Sequence, residues 1–328
     1  MNAMGLRVSV VVCAYNAGAD LRGCLESLAA QEHREIEIIV VDDASTDATQ
    51  DCARHFRART DVDLIVLSNE TNLGVAGSRN VGIRQARGDV IAFTDADCIA
   101  APNWISELIK GYGLSKASAV GGSIADRPTS RYWEQVDRSS NFVARSEGYV
   151  TYIQGCNMSF DQRAVTPLLF NDELKYGYEE AMLCDQLIAA GRNIYYRPQA
   201  VVIHKHRPTF SALCRQKYLR GLSSIWYRKK QKMFPLLKRH LVLLLAIVSL
   251  PLMMISGAFL FPSLSFFLVF LLSLLRDEVQ FRRKSAKEIL VTLPGTIIIE
   301  LVHGAGSVAG LIKFRLLRGP FRRPSPGS

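Results

Sequence analysis

Carboxylates recur in close pairs at three places in the chain: Asp42-Asp43, Asp95-Ala96-Asp97 and Glu179-Glu180. Two carboxylates at i and i+2 can share a hard divalent cation, and such a cation neutralises a diphosphate. A D-x-D is equally compatible with a turn, so its position decides. Asp42-Asp43 follow the apolar run 36–41, and Asp95 directly follows the run 90–94. Ser45 and Asp47 suit a helix N-cap, but capping does not account for adjacent carboxylates at the end of an apolar run. Glu179-Glu180 open a stretch of helical composition closed by Gly191. Acids there fit the dipole of a helix start, and a carboxylate near a metal site is also what deprotonation of a hydroxyl requires.

The surrounding sequence predicts the elements that carry these groups. Residues 8–14 are a continuous apolar run suited to a strand buried on both faces. Leu21, Leu25 and Leu28 then recur at helical spacing, and 35–41 returns to strand composition, a βαβ unit. The pattern continues with a helix at 45–56, a strand at 63–67, a helix at 75–87, a strand at 90–94 and a helix at 102–112 with Pro102 in its first turn. Such alternation predicts a mostly parallel sheet with its ligand at the carboxyl ends of the strands. Residues 124–203 are less regular, with a helix at 179–190 and a last strand near Val201.

The chain's 328 residues, 48% hydrophobic and 21% charged, fit one large domain plus a further part and exclude a disordered or collagen-like polymer. Its net charge of +10 is unevenly spread: residues 1–203 carry 19 Lys+Arg against 26 Asp+Glu, and residues 204–328 carry 21 against 4. An acidic body joined to a basic, apolar tail speaks against a nucleic-acid binder and for a domain docked on anionic membrane lipid. Seven dispersed cysteines without a CxxC pair indicate buried reduced thiols. Residues 241–275 contain no charge and are interrupted by Pro251, Gly257 and Phe261-Pro262-Ser263. That is too long for one straight crossing and long enough for a hairpin of two short ones. Basic residues flank it on both sides (Arg228, Lys229, Lys230 and Lys232 before; Arg276, Arg282, Arg283 and Lys284 after), which places both flanks in the cytoplasm. Residues 289–312 contain Glu300 and His303 and precede further basic residues, so the expectation there is an interfacial or re-entrant helix, with Gly306 and Gly310 at a close helix contact.

Val8-Ser9-Val10-Val11-Val12-Cys13-Ala14-Tyr15-Asn16, Val40-Val41-Asp42-Asp43-Ala44-Ser45-Thr46-Asp47, Asn72-Leu73-Gly74 with Ser78-Arg79-Asn80, and Asp95-Ala96-Asp97 together resemble the family 2 glycosyltransferases of the GT-A fold. Gly155-Cys156-Asn157-Met158-Ser159-Phe160 is similar to that family's G-x-N acceptor segment, and residues 179–191 to its E-D-x-x-L helix. The resemblance covers roughly residues 7–205, and the tail is similar to membrane-associated bacterial envelope or exopolysaccharide members. It implies an α/β GT-A (nucleotide-diphospho-sugar transferase) fold, a Rossmann-like, mostly parallel sheet with a C-terminal membrane hairpin. It also implies an inverting, metal-dependent transfer from a nucleotide-sugar donor to a hydroxyl of a lipid-linked or saccharide acceptor.

Carried over by position, the resemblance implies that Ala14, Tyr15 and Asn16 border the base and that Asp43, or Asp42, hydrogen-bonds base or ribose. Arg79 would approach the diphosphate and Asp95 the ribose. Asp97 would hold Mn2+ or Mg2+, with Asp95 beside it and His204, or with less support His206, completing the shell. Gly155 and Asn157 would bind the acceptor. Glu180 stands where the family has Asp and is the implied base, with Glu179 as second choice. The implied location is the inner (cytoplasmic) membrane, the catalytic domain facing the cytoplasm. The expected division is a catalytic domain at 1–205, a basic juxtamembrane segment at 206–240, the hairpin at 241–275, and a basic loop, helix and tail at 276–328. The Q-x-x-R-W pattern of processive members is missing, Arg215-Gln216-Lys217-Tyr218-Leu219-Arg220 being a loose echo, so single-sugar addition is expected.

A dinucleotide oxidoreductase would need G-x-G-x-x-G where Cys13-Ala14-Tyr15-Asn16-Ala17-Gly18 stands. A nucleotidyltransferase would need a basic, glycine-rich loop at the same place. The remaining alternative is a catalytically inactive, nucleotide-binding membrane scaffold of the same fold, supported by Glu180 in place of Asp.

Overall fold

The computed structural model describes residues 5–126, 132–138, 146–205, 209–231, 233, 241–242, 245, 260–280 and 286–316. The chain divides into two compact units, Met1–Pro208 and Thr209–Ser328. In the first, the elements are β1 (Val8–Ala14), α1 (Gly18–Ala29), β2 (Ile36–Asp42), α2 (Thr49–Arg57), β3 (Asp63–Ser68), α3 (Gly74–Gln85), β4 (Val90–Asp95) and β5 (Cys98–Ala100). There follow α4 (Trp104–Ser115), β6 (Ala119–Asp126), α5 (Tyr132–Arg138), β7 (Gly148–Val150), β8 (Met158–Asp161), α6 (Gln162–Val165), α7 (Glu179–Ala189) and β9 (Ile194–His204).

One nine-stranded sheet runs in the order β3-β2-β1-β4-β8-β6-β9-β5, with β7 paired to β9. The half β3-β2-β1-β4 is parallel. In the other half β8 lies antiparallel to β4 and β6, and β5 and β7 lie antiparallel to β9. The longest ladder on that side, β6 with β9, is parallel, so the long ladders are parallel, as expected, and the antiparallel pairings are short additions to them. Strands of three or four residues such as β5, β7 and β8 are too short to imprint a periodicity on the sequence.

The strand β1 is central and its successive side chains serve two cores. Val10 and Val12 join Ile38, Val40, Leu21, Leu25, Trp104 and Leu108 on one face. Val11 joins Ile39, Phe93, Ile83, Leu183 and Leu187 on the other. Burial on both faces is why these strands read as unbroken apolar runs. The register pairs Ala14 with Asp42 and Cys13 with Asp95, so the ends of β1, β2 and β4 finish level with one another.

The helix expected from Ser45 begins only at Thr49. The intervening side chains are engaged elsewhere: Asn16 N donates to Ser45 Oγ (2.9 Å), Gly18 N to Asp47 Oδ2 (3.1 Å) and Ala17 N to Thr49 Oγ1 (2.8 Å). The loops after β1 and β2 are thereby joined into one ledge.

In the second unit are α8 (Phe210–Lys230), α9 (Leu260–Gln280) and α10 (Ala286–Leu316). The helices α8 and α10 meet backbone to backbone: a methyl on Gly221 would collide with the His303 carbonyl oxygen, and one on Gly306 with that of Tyr218. Gly310 lies against Leu222, and Ser224 and Ser307 share a hydrogen bond of 3.1 Å. Gly306 and Gly310 thus sit at the expected close contact. The segment expected to be interfacial or re-entrant is one unbroken helix here, and among the described residues Ala286–Ile312 is the stretch long and apolar enough to cross a membrane. Most of residues 241–260, the first arm of the expected hairpin, lies outside the described residues, as does His206.

Gly122, at the irregularity where β6 and β9 slip register, has the Ala200 carbonyl oxygen where a Cβ would stand. Gly122→Ala is expected to destabilise the first unit by about 1–3 kcal/mol. Denaturant titration of both proteins checks this; an unchanged midpoint would contradict the close approach.

Candidate functional site

Arg79 lies in the second turn of α3, which runs back from the level strand ends. Its guanidinium is buried and reaches three elements at once. Nη1 donates to Glu179 Oε1 (2.8 Å), and Nη2 to Asp95 Oδ1 (3.3 Å) and the Gly155 carbonyl (3.1 Å). The Phe170 ring stacks against it, 5.5 Å from its centroid. Burial works against the charge, but Glu179 and Asp95 outweigh it and hold the guanidinium above its ordinary pKa.

Close packing makes this reach possible. A methyl on Gly82 would run into Val11, so α3 lies directly on β1; a methyl on Gly155 would stand 2.9 Å from Arg79 Nη2. The chain enters α7 through two left-handed residues, Gly177 (φ 109) and Tyr178 (φ 72). A bulky residue at positive φ is costly, and here it turns the first two residues of α7 inward. Glu179 and Glu180 are both buried. Glu180 accepts from the Tyr152 hydroxyl (2.8 Å). The second oxygen of Glu179, Oε2, is buried with no hydrogen-bond partner among the described residues. Burial and then the neighbouring Glu180 push the Glu179 carboxyl up, to about 8, against the pull of Arg79.

Asp43, expected to meet a base, receives Leu73 N (2.8 Å), Gly74 N (2.9 Å) and Asn69 Nδ2 (2.8 Å). It therefore caps α3, whose own N-cap, Leu73, has no capping side chain. Asp42 accepts from Ser45 N (3.3 Å). Asn16, in a left-handed conformation (φ 50), accepts from Thr46 N (2.9 Å) through its side chain, and Tyr15 stands exposed beside it. Ala14, Tyr15 and Asn16 thus form an edge of the ledge at the strand ends.

The two acids of the D-x-D part company. Asp95 turns to Arg79, whereas Asp97 Oδ1 lies 3.5 Å from His204 Nε2. Asp97, Cys98 and His204 hold their ligand atoms within 4.8 Å of one another. A carboxylate oxygen and an imidazole nitrogen, both partly open to solvent, fit a divalent cation. Asp95 stands outside that cluster. Among the other expected residues, Gly155 contributes its carbonyl to Arg79. Asn157 is fully buried, accepting from Trp104 Nε1 (2.8 Å) and donating to Ser123 O (2.7 Å) and Ala200 O (2.9 Å). Its side chain ties β6, β9 and α4 together, which is a structural task.

Tyr152, Phe170 and Cys98 belong to the site and were not expected from the sequence. Tyr152 and Phe170 sit in irregular chain, where no spacing marks them. Cys98 was legible only as the residue following the D-x-D.

Residues 9–165 match the model for glycosyl transferase family 2. The uncharacterized glycosyltransferase YfnE of Bacillus subtilis is 35% identical over 133 residues, 40% of this chain and 33% of that protein. The succinoglycan biosynthesis protein ExoO of Rhizobium meliloti is 27% identical over 235 residues, 65% of this chain and 64% of that one. The chain thus matches between a third and two thirds of the length of these relatives. The mannosyltransferase PcManGT of Pyrobaculum calidifontis, solved with GDP-Man and Mn2+, superposes with a TM-score of 0.59 at 18% identity, covering 96% of this chain and 88% of that one. At that identity the likeness establishes the fold, which is GT-A.

Two outcomes follow from the geometry. Asn157→Ala strands an indole N–H and two carbonyls, so unfolding free energy should drop by about 2–4 kcal/mol; unchanged stability would contradict its structural task. The native state holds the Glu179 proton more tightly than the unfolded chain does, so this residue progressively costs stability as pH rises from about 4.3 in the unfolded chain towards about 8. The melting temperature of Glu179→Gln relative to the wild type should climb across that interval, and a difference independent of pH would refute the raised carboxyl.

Proposed function

We propose that the chain, whose residues 9–165 match glycosyl transferase family 2, is a member of that family and moves one sugar, with inversion, from a nucleotide-sugar to a hydroxyl of a lipid-linked or saccharide acceptor at a membrane. The observation that carries the reading is the Arg79 guanidinium, which joins Asp95 at the end of β4 to Glu179 at the start of α7. Donor-side and acceptor-side carboxylates therefore surround one buried cation.

In this reading the nucleoside lies on the ledge formed by Ala14, Tyr15 and Asn16, with Asp42 and Asp43 beneath it and Asp95 towards the ribose. Asp97 and His204 hold Mn2+ or Mg2+; when bound, the cation supplies positive charge to the leaving diphosphate. PcManGT, of the same fold, was solved with GDP-Man and Mn2+. The acceptor oxygen forms the new bond to the anomeric carbon as the bond to the diphosphate breaks, and the diphosphate leaves with the electron pair. Glu180 takes the hydroxyl proton, because a sugar hydroxyl is a poor nucleophile at neutral pH. Glu179, engaged by Arg79, fixes the position of α7 instead.

The basic tail, the long apolar helix α10 and the naming of ExoO for succinoglycan biosynthesis support work on envelope or exopolysaccharide at the cytoplasmic face of the inner membrane.

The test is a screen of nucleotide-sugars with the detergent-purified chain and Mn2+. Release of nucleoside diphosphate coupled to acceptor modification is expected. Glu180→Gln should lower turnover about 10²–10⁴-fold with donor affinity kept. Donor binding without turnover in the wild type would favour the inactive scaffold, and a normal Glu180→Gln beside a dead Glu179→Gln would move the base to Glu179.

A further inference from the structure

Cys98 is the member of the strand-end cluster for which sugar transfer has no task. It is wholly buried, and its partner in the β5–β9 ladder is His204. Residues directly opposed in an antiparallel pair present their side chains to the same face, so the register itself sets thiol and imidazole side by side. Asp97 completes the triangle: Cys98 Sγ stands 4.0 Å from Asp97 Oδ1, which is 3.5 Å from His204 Nε2. Ligands at about 2.0–2.3 Å from one tetrahedral ion stand roughly 3.4–3.8 Å apart. All three atoms lie within 4.8 Å of one another, so shifts of up to about 1 Å would bring them into one shell. The backbone is fixed on both sides, by the β5–β9 ladder and by Lys205 N donating to Asp97 O (3.2 Å).

We infer that Cys98 Sγ is a third protein ligand of the Asp97–His204 cation site, so that without diphosphate the site takes a thiophilic divalent ion such as Zn2+, Cd2+ or Co2+ in preference to Mg2+. The inference rests on Asp97 and His204 forming the cation site, and not on sugar transfer. Sulfur is a soft donor that suits Zn2+ and its neighbours and serves Mg2+ poorly. The metal–sulfur bond forms as the thiol proton passes to solvent. Three protein ligands leave a fourth position open, which water or a phosphate oxygen can fill. A thiophilic ion thus competes with the hard cation for the same place.

The experiment titrates the metal-free, full-length protein with Co2+ in detergent. A near-ultraviolet thiolate-to-cobalt absorption band is expected in the wild type and in Cys156→Ser, and its loss in Cys98→Ser. Affinity for Co2+ in Cys98→Ser should fall about tenfold or more. If Asp97→Ala and His204→Ala weaken Co2+ binding while Cys98→Ser keeps the band, the cation site stands and the sulfur ligand is overturned. If Asp97→Ala and His204→Ala leave Co2+ binding unchanged, the cation site falls and the inference with it. Zinc K-edge spectroscopy on the unaltered protein needs no variant to fold: one sulfur at about 2.3 Å is expected, and a shell of oxygen and nitrogen alone overturns the assignment.

Discussion

A buried guanidinium is tolerated only where its charge is matched, and much of this molecule can be understood as the matching of Arg79. Taking such a group out of water costs several kcal/mol unless carboxylates and hydrogen bonds replace the solvent. Asp95, Glu179 and the Gly155 carbonyl supply that replacement, each from a different segment. The constraint then propagates outward. The helix α3 must lie on β1, which Gly82 permits, and the 155 position must lack a side chain. The chain must also reach α7 through the left-handed pair Gly177 and Tyr178.

The same cluster holds more negative than positive charge: Asp95, Glu179 and Glu180 all act electrostatically on the single Arg79. Such an excess is unfavourable in a low-dielectric setting and is relieved in two ways. Protonation of Glu179, favoured by burial, is one. The other is the placement of Asp97 apart from Arg79, beside His204 and Cys98, where a divalent cation can sit. The D-x-D thus divides, Asp95 bracing Arg79 and Asp97 lying beside His204 and Cys98. Asp43, also buried, is satisfied by the amide groups opening α3.

The parallel half of the sheet was legible because strands buried on both faces must be continuously apolar, as Val8–Ala14 and Ile36–Asp42 are. The acid pairs at the ends of β2 and β4 followed from the same pattern. The short antiparallel strands were not legible: β5, β7 and β8 owe their existence to pairing with distant strands, not to local propensity. Ser45 and Asp47 looked like caps because cap residues and loop-tying residues share a chemistry, short side chains with a polar oxygen. Asn157 looked like a ligand contact for a related reason, since one sequence does not reveal whether a side-chain amide faces solvent or Trp104. Arg79 was singled out as a residue approaching a diphosphate, but its pairing with Glu179, 100 residues away, depends on tertiary structure alone.

The coupling between Arg79 and Glu179 is best measured by a double-mutant cycle of Arg79→Met and Glu179→Gln, read as unfolding free energy of the full chain at about pH 9, where Glu179, with its carboxyl pushed up to about 8, is ionised. Removing either partner leaves the other buried without its match, so the two losses should overlap. The double variant should be more stable than additivity allows by about 2 kcal/mol or more. Additivity within about 0.5 kcal/mol would mean that the two residues do not support one another, and that the buried guanidinium is not the interaction on which the site depends.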